Sequence, residues 1–509
     1  MAEARANGFS LTYGLPFTGD DATPRIYFQP IALILGLLMR VTKWDPGYVY
    51  VGYWLVASIT MFRIAVALST HYMARPDDAA GWLATLVLLW GGGVLGITGW
   101  LFYWLTAEHP ELGGLWGALV SFDPGLGWWF LNLGRNTIYA TEALYHTLFF
   151  ATVILVIRRK FGAAILLMIL TSFSHPFTGI QLILVIGFFS VLDQLMRRPD
   201  APPLWFTFTV GVVLVAHLGH YLALLNLLSI ENRIVHQQNS MSWTLPASSL
   251  LPAYGPMLLL AATRLFRKKY GPRPLSDPAV RLALAWFAVS LALANHEIVL
   301  APRQPIHFTR GYIWTPLALL ALPVIRAAFH WAINLRPRIV AVAMSIMFLG
   351  IAVGDNGMWF VRQYAYYLAQ LNSGVRLSNE ERAALNRLSE PDMAGRLLLS
   401  NNGKLGYLAT AYTPLRPWMS HEFLTPDANL RKAELEEFYA TAVEVAQWRH
   451  RPLVVLVDLH PDATALKKMQ AGWVVDFPVA DDFIKTMESA DFVLVGSIGN
   501  IRVMTRDAR

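Results

Sequence analysis

The amino-acid sequence predicts a polytopic α-helical membrane protein that ends in a small α/β domain. Of its 509 residues, 55% are hydrophobic and only 15% are charged, whereas soluble chains carry about 25% charged residues. Apolar runs long enough to cross a bilayer, about 20 residues each, recur as far as residue 357. After residue 358 charged side chains become frequent, and short β-type runs alternate with helical patterns. The change in composition therefore separates a membrane part from a water-exposed part.

The chain is predicted to have three regions. Residues 1–45 form an outer N-terminal segment with an acidic loop and an interfacial helix, residues 46–357 a transmembrane helical bundle, and residues 358–509 an extracytoplasmic α/β domain. About ten helices are expected to cross the membrane. Their predicted ranges are 46–73, 81–106, 139–157, 161–177, 179–196, 204–228, 249–266, 279–297, 309–332 and 338–355.

The N-terminal segment contains the stretch TGDDATPRIYFQP, which runs from Thr18 to Pro30. It holds the adjacent carboxylates of Asp20 and Asp21, followed by a proline, an arginine and two aromatic residues. The apolar run 28–41 is too short to span a bilayer, and proline is common in the first turn of a helix. These features predict a helix that begins near Pro30 and lies in the membrane interface.

Glycine and proline mark two places in the predicted bundle. The sequence SHPFTG lies between the predicted spans 161–177 and 179–196 and indicates a helix break in a tight hairpin, with His175 beside it. The sequence WGGGVLGITGW, residues 90–100, falls inside a predicted span. Small residues there are expected to let neighbouring helices pack closely.

The C-terminal region alternates strand-like and helix-like patterns. The runs RLLLS, LVVLVDL and DFVLVGS are typical of short β-strands, and residues 428–448 have a helical pattern. Strands that alternate with helices are typical of an α/β domain, so we expect a sheet covered by helices.

Charges in the loops predict the orientation in the membrane. Clusters of Lys and Arg at 158–160, 197–198, 264–273 and 336–338 occupy alternate loops. Because cytoplasmic loops carry an excess of these residues, the N-terminal segment, the intervening loops and the C-terminal domain are placed outside. The net charge of +7 is therefore attributed to membrane topology, and no nucleic-acid partner is predicted. We expect a multi-pass protein of the inner (plasma) membrane.

Most ionisable groups of the bundle fall on the predicted outer side, and such groups in membrane segments are costly and usually functional. Glu142 and His146 are four residues apart, so they share one helix face. A carboxylate in this position can hold one tautomer of the imidazole, although a purely structural pair fits the spacing equally well. His175 lies at the predicted helix break, where a plain tight turn is the alternative.

A second polar group lies at the outer end of the predicted span 309–332. The sequence PRQPIHFTRGYIWTP contains Arg303, His307 and Arg310. Guanidinium groups match phosphate oxygens, so these residues are candidates for binding a lipid phosphate or pyrophosphate. The aromatic residues that follow are expected at the headgroup level, where interfacial anchoring is the alternative. Arg135, also on the outer side, completes the set of candidate binding residues.

Asp20 and Asp21 are the candidate catalytic residues. A carboxylate in an outer loop can act as general base toward an acceptor hydroxyl or ligate a divalent cation, and an ordinary solvated loop is the alternative. No cofactor follows from the sequence beyond Mg²⁺ or Mn²⁺, which this pair could hold. The chain has no Cys, which excludes thiol nucleophiles and cysteine–zinc sites. It also shows no P-loop, GxGxxG, GxSxG or HExxH pattern.

An acidic pair in the first outer loop, a YFxxP element with an interfacial helix and a bundle of many spans resemble the GT-C superfamily of integral-membrane glycosyltransferases. The stretch GYLATAYTPLRPWMSHEFLTPD, residues 406–427, is similar to a motif in the outward C-terminal region of uncharacterised bacterial members. The resemblance covers most of the chain as architecture, but only a few short stretches as motifs. Members normally carry a first span before the acidic loop, and this sequence shows none before Asp20.

The resemblance implies transfer of a sugar from a polyprenyl-phosphate-linked donor to a glycan, lipid or protein acceptor at the extracytoplasmic face, in contact with membrane lipids. It implies that Asp21, or else Asp20, is the catalytic carboxylate. It also implies that Arg303 or Arg310 binds the donor phosphate. The other residues expected to line the substrate cavity are Arg135, Glu142, His146, His175 and His307.

Three other functions are compatible with a polytopic chain of this composition. A transporter or flippase of lipid-linked saccharides or small solutes would usually show internal repeats and charged sites at the membrane midplane, and the sequence shows no such repeat. A membrane assembly subunit would use the α/β domain to bind partners. An O-antigen-ligase- or polymerase-like enzyme would depend on outer His and Arg residues more than on Asp20 and Asp21.

Overall fold

The computed structural model of the chain describes residues 11–19, 24–73, 77–106, 117, 121–123, 130, 132–238, 247–267, 274–301, 304–370, 377–421, 423–459 and 476–508. The fold divides into two compact units. The helical unit consists of Tyr50–Gly219 and Met241–Tyr364. The α/β unit consists of Met1–Val49, His220–Ser240 and Ala365–Arg509. The N-terminal segment therefore belongs to the same unit as the C-terminal sheet.

The described helices and strands are numbered in chain order. The helices are α1 Pro30–Thr42, α2 Pro46–Ser69, α3 Ala79–Trp90, α4 Leu95–Thr106, α5 Leu133–Asn136, α6 Ala140–Ile157, α7 Phe161–Ser174, α8 Pro176–Leu195, α9 Leu204–Leu218, α10 Leu225–Leu228, α11 Ile230–Gln238, α12 Ala247–Phe266, α13 Pro278–Ala294, α14 Trp314–Ile333, α15 Arg338–Gln370, α16 Asn379–Leu388, α17 Gly403–Tyr412, α18 Ala428–Thr441 and α19 Phe483–Ser489. The strands are β1 Leu397–Ser400, β2 Arg416–Pro417, β3 Leu453–Asp458, β4 Val493–Ile498 and β5 Ile501–Arg506.

Within the described residues, seven helices are long and apolar enough to cross a membrane, and α3 with α4 passes the same test as a bent pair. The seven are α2, α6, α8, α9 continued by α10, α12, α14 and α15. The predicted spans 161–177 and 279–297 correspond to α7 and α13, which have 14 and 17 residues. Both are shorter than the roughly 20 residues that a crossing needs. The chain is thus a multi-pass membrane protein, and the count of ten spans stays a prediction.

The glycine-rich stretch inside the predicted span 81–106 breaks the helix. α3 ends at Trp90, α4 begins at Leu95, and the two axes differ by 72°. Gly93 lies against α12, where a Cβ atom would overlap the carbonyl oxygen of Pro252. The expectation of one continuous span was therefore wrong. The helix breaks at the glycines, and the absence of a side chain at Gly93 lets the chain contact the backbone of α12 there.

Side chains of α15 bind the backbone groups that this break leaves unpaired. The carboxylate of Asp355 accepts hydrogen bonds from the amides of Leu95 and Gly96, each at 2.8 Å. Asn356 donates to the carbonyl oxygens of Trp90 and Gly91 at 2.8 and 2.9 Å. Broken helices at membrane depth are stable only when protein or water satisfies such groups, and here the protein does so.

The break expected in SHPFTG is confirmed, with a single residue between the two helices. α7 ends at Ser174 and α8 begins at Pro176. The amide of Thr178 donates to Nδ1 of His175 at 3.2 Å, so His175 caps the start of α8. Proline is favoured at this position because the first amides of a helix have no intrahelical partner.

The helix expected near Pro30 is also confirmed. α1 begins at Pro30, and Gln29 caps it by accepting the amide of Ala32 at 2.7 Å. The chain then turns at Asp45, whose carboxylate accepts hydrogen bonds from the Gly47 amide at 2.7 Å and the Tyr412 hydroxyl at 3.1 Å. These bonds attach the end of the N-terminal segment to α17. The interfacial location of α1 stays a prediction.

The C-terminal region forms a five-stranded sheet with the strand order β2-β1-β3-β5-β4. The pairs β2–β1 and β1–β3 are parallel, whereas β3–β5 and β5–β4 are antiparallel. The three predicted strands are confirmed as β1, β3 and β4. The edge strand β2 and the inner strand β5 were not predicted, because β2 has only two residues and the run IRVMTR is interrupted by two arginines and a threonine.

Alternate residues of the sheet pack on opposite faces, as the pleat requires. Leu397 on β1 packs with Phe438 of α18 and Phe483 of α19. Leu398, the next residue, packs on the other face with Leu385 of α16 and Leu405 of α17. The central strands are buried on both faces, which explains why β3 reads as a continuous apolar run.

Substitution of Gly93 by alanine is expected to destabilise the helical unit. The new methyl group would contact the backbone of Pro252 and Ala253, which cannot rotate away, and overpacking of this kind costs roughly 1–3 kcal/mol. Thermal unfolding of the purified protein in detergent should show a lower midpoint. Gly52→Ala on α2 is the matched control, because nothing lies within 4 Å of its Cβ position. Equal midpoints for the two variants would contradict the steric role of Gly93.

Candidate functional site

Five of the residues singled out in the sequence converge in the helical unit. Glu142 and His146 lie on α6, His175 lies between α7 and α8, and His307 and Arg310 precede α14. The contacts described below join these three segments at the N-terminal ends of α6, α8 and α14. We refer to Glu142, His146, His175, His307 and Arg310 as the histidine cluster.

A buried ion pair connects two of these segments. Nη1 of Arg310 donates to Oε1 of Glu142, and the two side chains are 16% and 6% exposed. Arg310 Nε is buried and has no partner among the described residues. Breaking a buried ion pair by removing one partner is costly, because the remaining charge is left without compensation. Glu142 therefore fixes Arg310 and leaves one of its N–H groups available.

His146 is held in one tautomer by backbone rather than by the expected carboxylate. Its Nδ1 lies 2.8 Å from the backbone carbonyl oxygen of Glu142, an acceptor, so Nδ1 carries the proton. Its Nε2 accepts from the Asn136 amide at 3.3 Å. The ring stacks on Tyr312 with 4.4 Å between centroids. Both nitrogens of His146 are thus occupied, which indicates a supporting role in the cluster.

His175 presents the opposite tautomer. The backbone amide of Thr178 can only donate, so Nδ1 of His175 is the acceptor and Nε2 carries the proton in the neutral ring. The Thr178 hydroxyl lies 2.9 Å from the same Nδ1 and 3.2 Å from the Tyr312 hydroxyl. The ring stacks on Tyr145 at 4.6 Å. In the described part of the chain, Nε2–H of His175 has no protein acceptor.

His307 exposes a lone pair to the cluster. Its Nε2 lies 2.8 Å from Oε1 of Gln304, so Nε2 is the donor. Its Nδ1 is buried and has no hydrogen-bond partner among the described residues. The ring stacks on Phe177 at 4.4 Å and lies 5.2 Å from the ring of His175. Burial, followed by the charge of Arg310, holds the pKa of His307 well below its usual range, so the ring is neutral near pH 7.

Tyr312 and Trp314 do not lie at an exposed headgroup position, which corrects the expectation of an aromatic belt. Both side chains are fully buried. Tyr312 packs between His146 and Phe149, with centroids 4.4 and 4.9 Å away. Tyr312 therefore supports the cluster, and the sequence contained no signal for this role because the contacts join α6 to residues 166 positions later in the chain.

Arg135 takes part in a different network of the helical unit. It forms an ion pair with Asp123 and donates from Nε to the Asn356 side chain at 2.6 Å. Its Nη2 donates to the backbone carbonyl of Asp355 at 3.1 Å, and its guanidinium lies 5.2 Å from the ring centroid of Trp359. Arg135 thus supports the residues of α15 that satisfy the α3–α4 break. The predicted contact of Arg135 with substrate stays a prediction.

Three candidate residues, Asp20, Asp21 and Arg303, lie outside the described residues. Their predicted roles as base, metal ligand and phosphate ligand are therefore carried forward as predictions. In the part of the chain that the structure describes, no group of three or more His, Asp or Glu residues is arranged to hold a metal ion.

The residues directly before the acidic pair are anchored to the α/β unit. The carbonyl oxygen of Thr18 accepts a hydrogen bond from Arg431 at 2.6 Å. The carbonyl oxygen of Gly19 accepts one from Arg451. Two consecutive carbonyls are therefore bound by arginines of the C-terminal region, which fixes the start of the acidic loop on this unit.

Gly19 can only be glycine at this anchor. Its φ angle is +64°, and a Cβ atom would lie 3.0 Å from both Leu397 of β1 and Trp418. Trp418 belongs to the stretch 406–427 and also carries the Arg431 guanidinium 4.1 Å above its ring. The stretch 406–427 thus contributes Trp418 to the surface against which Gly19 packs.

No family model matches this chain, and no curated protein matches it.

Arg310→Ala is expected to destabilise the helical unit by about 3–5 kcal/mol, because Glu142 would remain as an uncompensated buried charge. The unfolding midpoint in detergent should fall accordingly. The double variant Arg310→Met/Glu142→Leu should recover most of the loss, since replacing both partners removes the unpaired charge. Arg326→Ala, which breaks an exposed pair with Asp78 in the same unit, should change the midpoint little. Similar losses for Arg310→Ala and Arg326→Ala would contradict the role of the buried pair.

Gly19→Ala is expected to loosen the acidic loop. Alanine at a positive φ costs about 1–2 kcal/mol, and at Gly19 the contacts with Leu397 and Trp418 add to this cost. Hydrogen–deuterium exchange of residues 11–19 should become faster. Gly395→Ala provides the control, because Gly395 has a φ of +75° and nothing within 4 Å of its Cβ position. Unchanged exchange in Gly19→Ala would show that the anchor does not depend on this close contact.

Proposed function

We propose that the protein is a membrane glycosyltransferase of the GT-C type. It transfers a sugar from a polyprenyl-phosphate-linked donor to a hydroxyl group of a glycan, lipid or protein acceptor at the extracytoplasmic face. The observation that carries this proposal is the convergence of Arg310, His175 and His307 in one buried cluster, where Arg310 and His307 have polar atoms without a partner among the described residues. Fully structural polar clusters normally satisfy their buried groups.

The cluster has the donors that a phosphate needs. Nε–H of Arg310 and Nε2–H of His175 have no acceptor among the described residues. Phosphate oxygens form strong, short hydrogen bonds with such groups, above all with a guanidinium. Glu142 already balances the charge of Arg310 in the free protein, so the cluster is stable before an anion arrives. Arg303 stays a second candidate for the same phosphate.

The reaction needs a base for the acceptor and stabilisation of the leaving group. The acceptor oxygen attacks the anomeric carbon, the bond from that carbon to the phosphate oxygen breaks, and polyprenyl phosphate leaves with the bonding electrons. The acceptor proton passes to a carboxylate, for which we propose Asp21, with Asp20 as the second candidate. Arg310 and His175 stabilise the charge that develops on the departing phosphate.

Transport of a lipid-linked saccharide is supported less well. A broken span such as α3–α4 is common at transporter binding sites, where free backbone groups coordinate the substrate. In this chain Asp355 and Asn356 bind backbone groups on both sides of the break. Protein side chains thus occupy the break, and Nε of Arg310 in the histidine cluster has no partner among the described residues.

Sugar transfer by the purified full-length protein tests the proposal. Labelled polyprenyl-phosphate mannose, glucose and arabinose would be supplied with membrane glycans and lipids as acceptors, and release of polyprenyl phosphate would be measured. Asp21→Asn should lower the rate about 10²–10⁴-fold, the usual contribution of a general base, with Asp20→Asn as the comparison. Arg310→Lys should raise KM for the donor, while Arg326→Lys should not. Full activity of both Asp variants would overturn the base assignment, and no transfer from any donor would favour transport.

A further inference from the structure

The three histidines of the cluster offer different groups to a ligand, and their partners determine which. Both nitrogens of His146 are occupied by Glu142 and Asn136. His175 keeps a donor, because Nδ1 is taken by the amide of Thr178. His307 keeps an acceptor, because Nε2–H is taken by Gln304. The cluster therefore combines a free imidazole donor with a free imidazole acceptor.

The free nitrogen of His307 does not suit a phosphate oxygen. Nδ1 bears a lone pair, and a phosphate oxygen is also an acceptor, so no proton is available for a hydrogen bond between them. The low pKa of His307, caused by burial and then by Arg310, keeps the ring from gaining a second proton near pH 7. A buried acceptor without a partner costs free energy, so a ligand with a hydroxyl group would stabilise it. The expectation that His307 binds the phosphate stays a prediction, and the unpartnered Nδ1 favours a hydroxyl ligand instead.

The hydroxyl and the phosphate must lie close together in the ligand. His307 and Arg310 are three residues apart on one short segment, and the rings of His307 and His175 are 5.2 Å apart. A sugar attached directly to a phosphate carries hydroxyl groups at this kind of separation. The hydroxyl of a separate acceptor molecule would have no such constraint.

We propose that Nδ1 of His307 accepts a hydrogen bond from a hydroxyl group of the sugar on the lipid-linked donor, while Arg310 and His175 bind the phosphate. The assignment rests on the proposed glycosyltransferase function and makes His307 a determinant of sugar specificity. Phe177 stacks on the ring at 4.4 Å and Gln304 holds Nε2, so the accepting nitrogen has a fixed position. Fixed polar groups discriminate against ligands that lack the matching group.

Two substitutions distinguish the roles of the two ring nitrogens of His307. The amide of Asn can place an oxygen near the position of Nδ1, whereas the longer Gln places its amide near Nε2. Binding of bare polyprenyl phosphate and of polyprenyl-phosphate mannose, glucose and arabinose to the full chain in nanodiscs would be measured by tryptophan fluorescence. The wild type should bind at least one sugar-bearing lipid about five- to tenfold more tightly than the bare lipid, as expected for one hydrogen bond.

His307→Gln should abolish this preference and leave the affinity for bare polyprenyl phosphate unchanged, whereas His307→Asn should retain most of the preference. If His307→Gln retains the preference for the sugar-bearing lipid and His307→Asn loses it, the bond from Nε2 to Gln304 is what matters. That result would overturn the assignment. Loss of bare-lipid affinity in His307→Gln, as in Arg310→Lys, would show that His307 contacts the phosphate and would also overturn it. Unfolding midpoints of both variants confirm that each is folded.

The binding experiment distinguishes a failure of the proposed function from a failure of the role assigned to His307. If the wild type binds no polyprenyl phosphate, the glycosyltransferase proposal is wrong, and the role of His307 is wrong with it. If the wild type binds the bare lipid but shows no preference for any of the three sugar-bearing lipids, only the role of His307 is overturned.

Discussion

The histidine cluster depends on the buried ion pair between Arg310 and Glu142. Burying two charges is expensive unless each compensates the other, so this pair fixes the segment before α14 against the first turn of α6. Glu142 then provides its backbone carbonyl to His146, and Arg310 provides its own carbonyl to Asn136 at 3.3 Å. The positions of His307 and Tyr312 follow, because both residues flank Arg310 in the chain.

Two polar networks lie in the helical unit. At the α3–α4 break, Asp355 and Asn356 bind the amides and carbonyls on either side, and Arg135 supports them. In the histidine cluster, Arg310 Nε and His307 Nδ1 remain unpaired among the described residues. The network at the break also has unpaired atoms among the described residues, Oδ1 of Asp123 and Oδ1 of Asn132. The histidine cluster differs in the kind of group, because one of its unpaired atoms is a guanidinium N–H donor, which suits an anion.

The sequence determined much of the secondary structure because its signals are local. A proline at the first helical position marked the starts of α1 and α8, and apolar runs marked the spans and the strands β1, β3 and β4. The sequence-based prediction was wrong where contacts between residues far apart in the sequence determine the structure. The sequence indicates that the glycines at 91–93 are packing residues within one span. In the structure the helix breaks at these glycines, and the chain contacts Pro252 of α12. The sequence predicts an interfacial position for Tyr312, but in the structure its ring is buried and stacks on His146.

The sequence by itself determined that this is a multi-pass membrane protein with an α/β domain, and it supplied the candidate polar side chains. Composition and periodicity suffice for this, because hydrophobic patterning is a property of each segment alone. Only the tertiary structure decided the state of each candidate group. Whether a histidine donates or accepts depends on the local fold that brings a partner to it, as with Thr178 three residues after His175 and Gln304 three residues before His307. The bond from Arg451 to the carbonyl oxygen of Gly19 likewise joins residues from almost opposite ends of the chain.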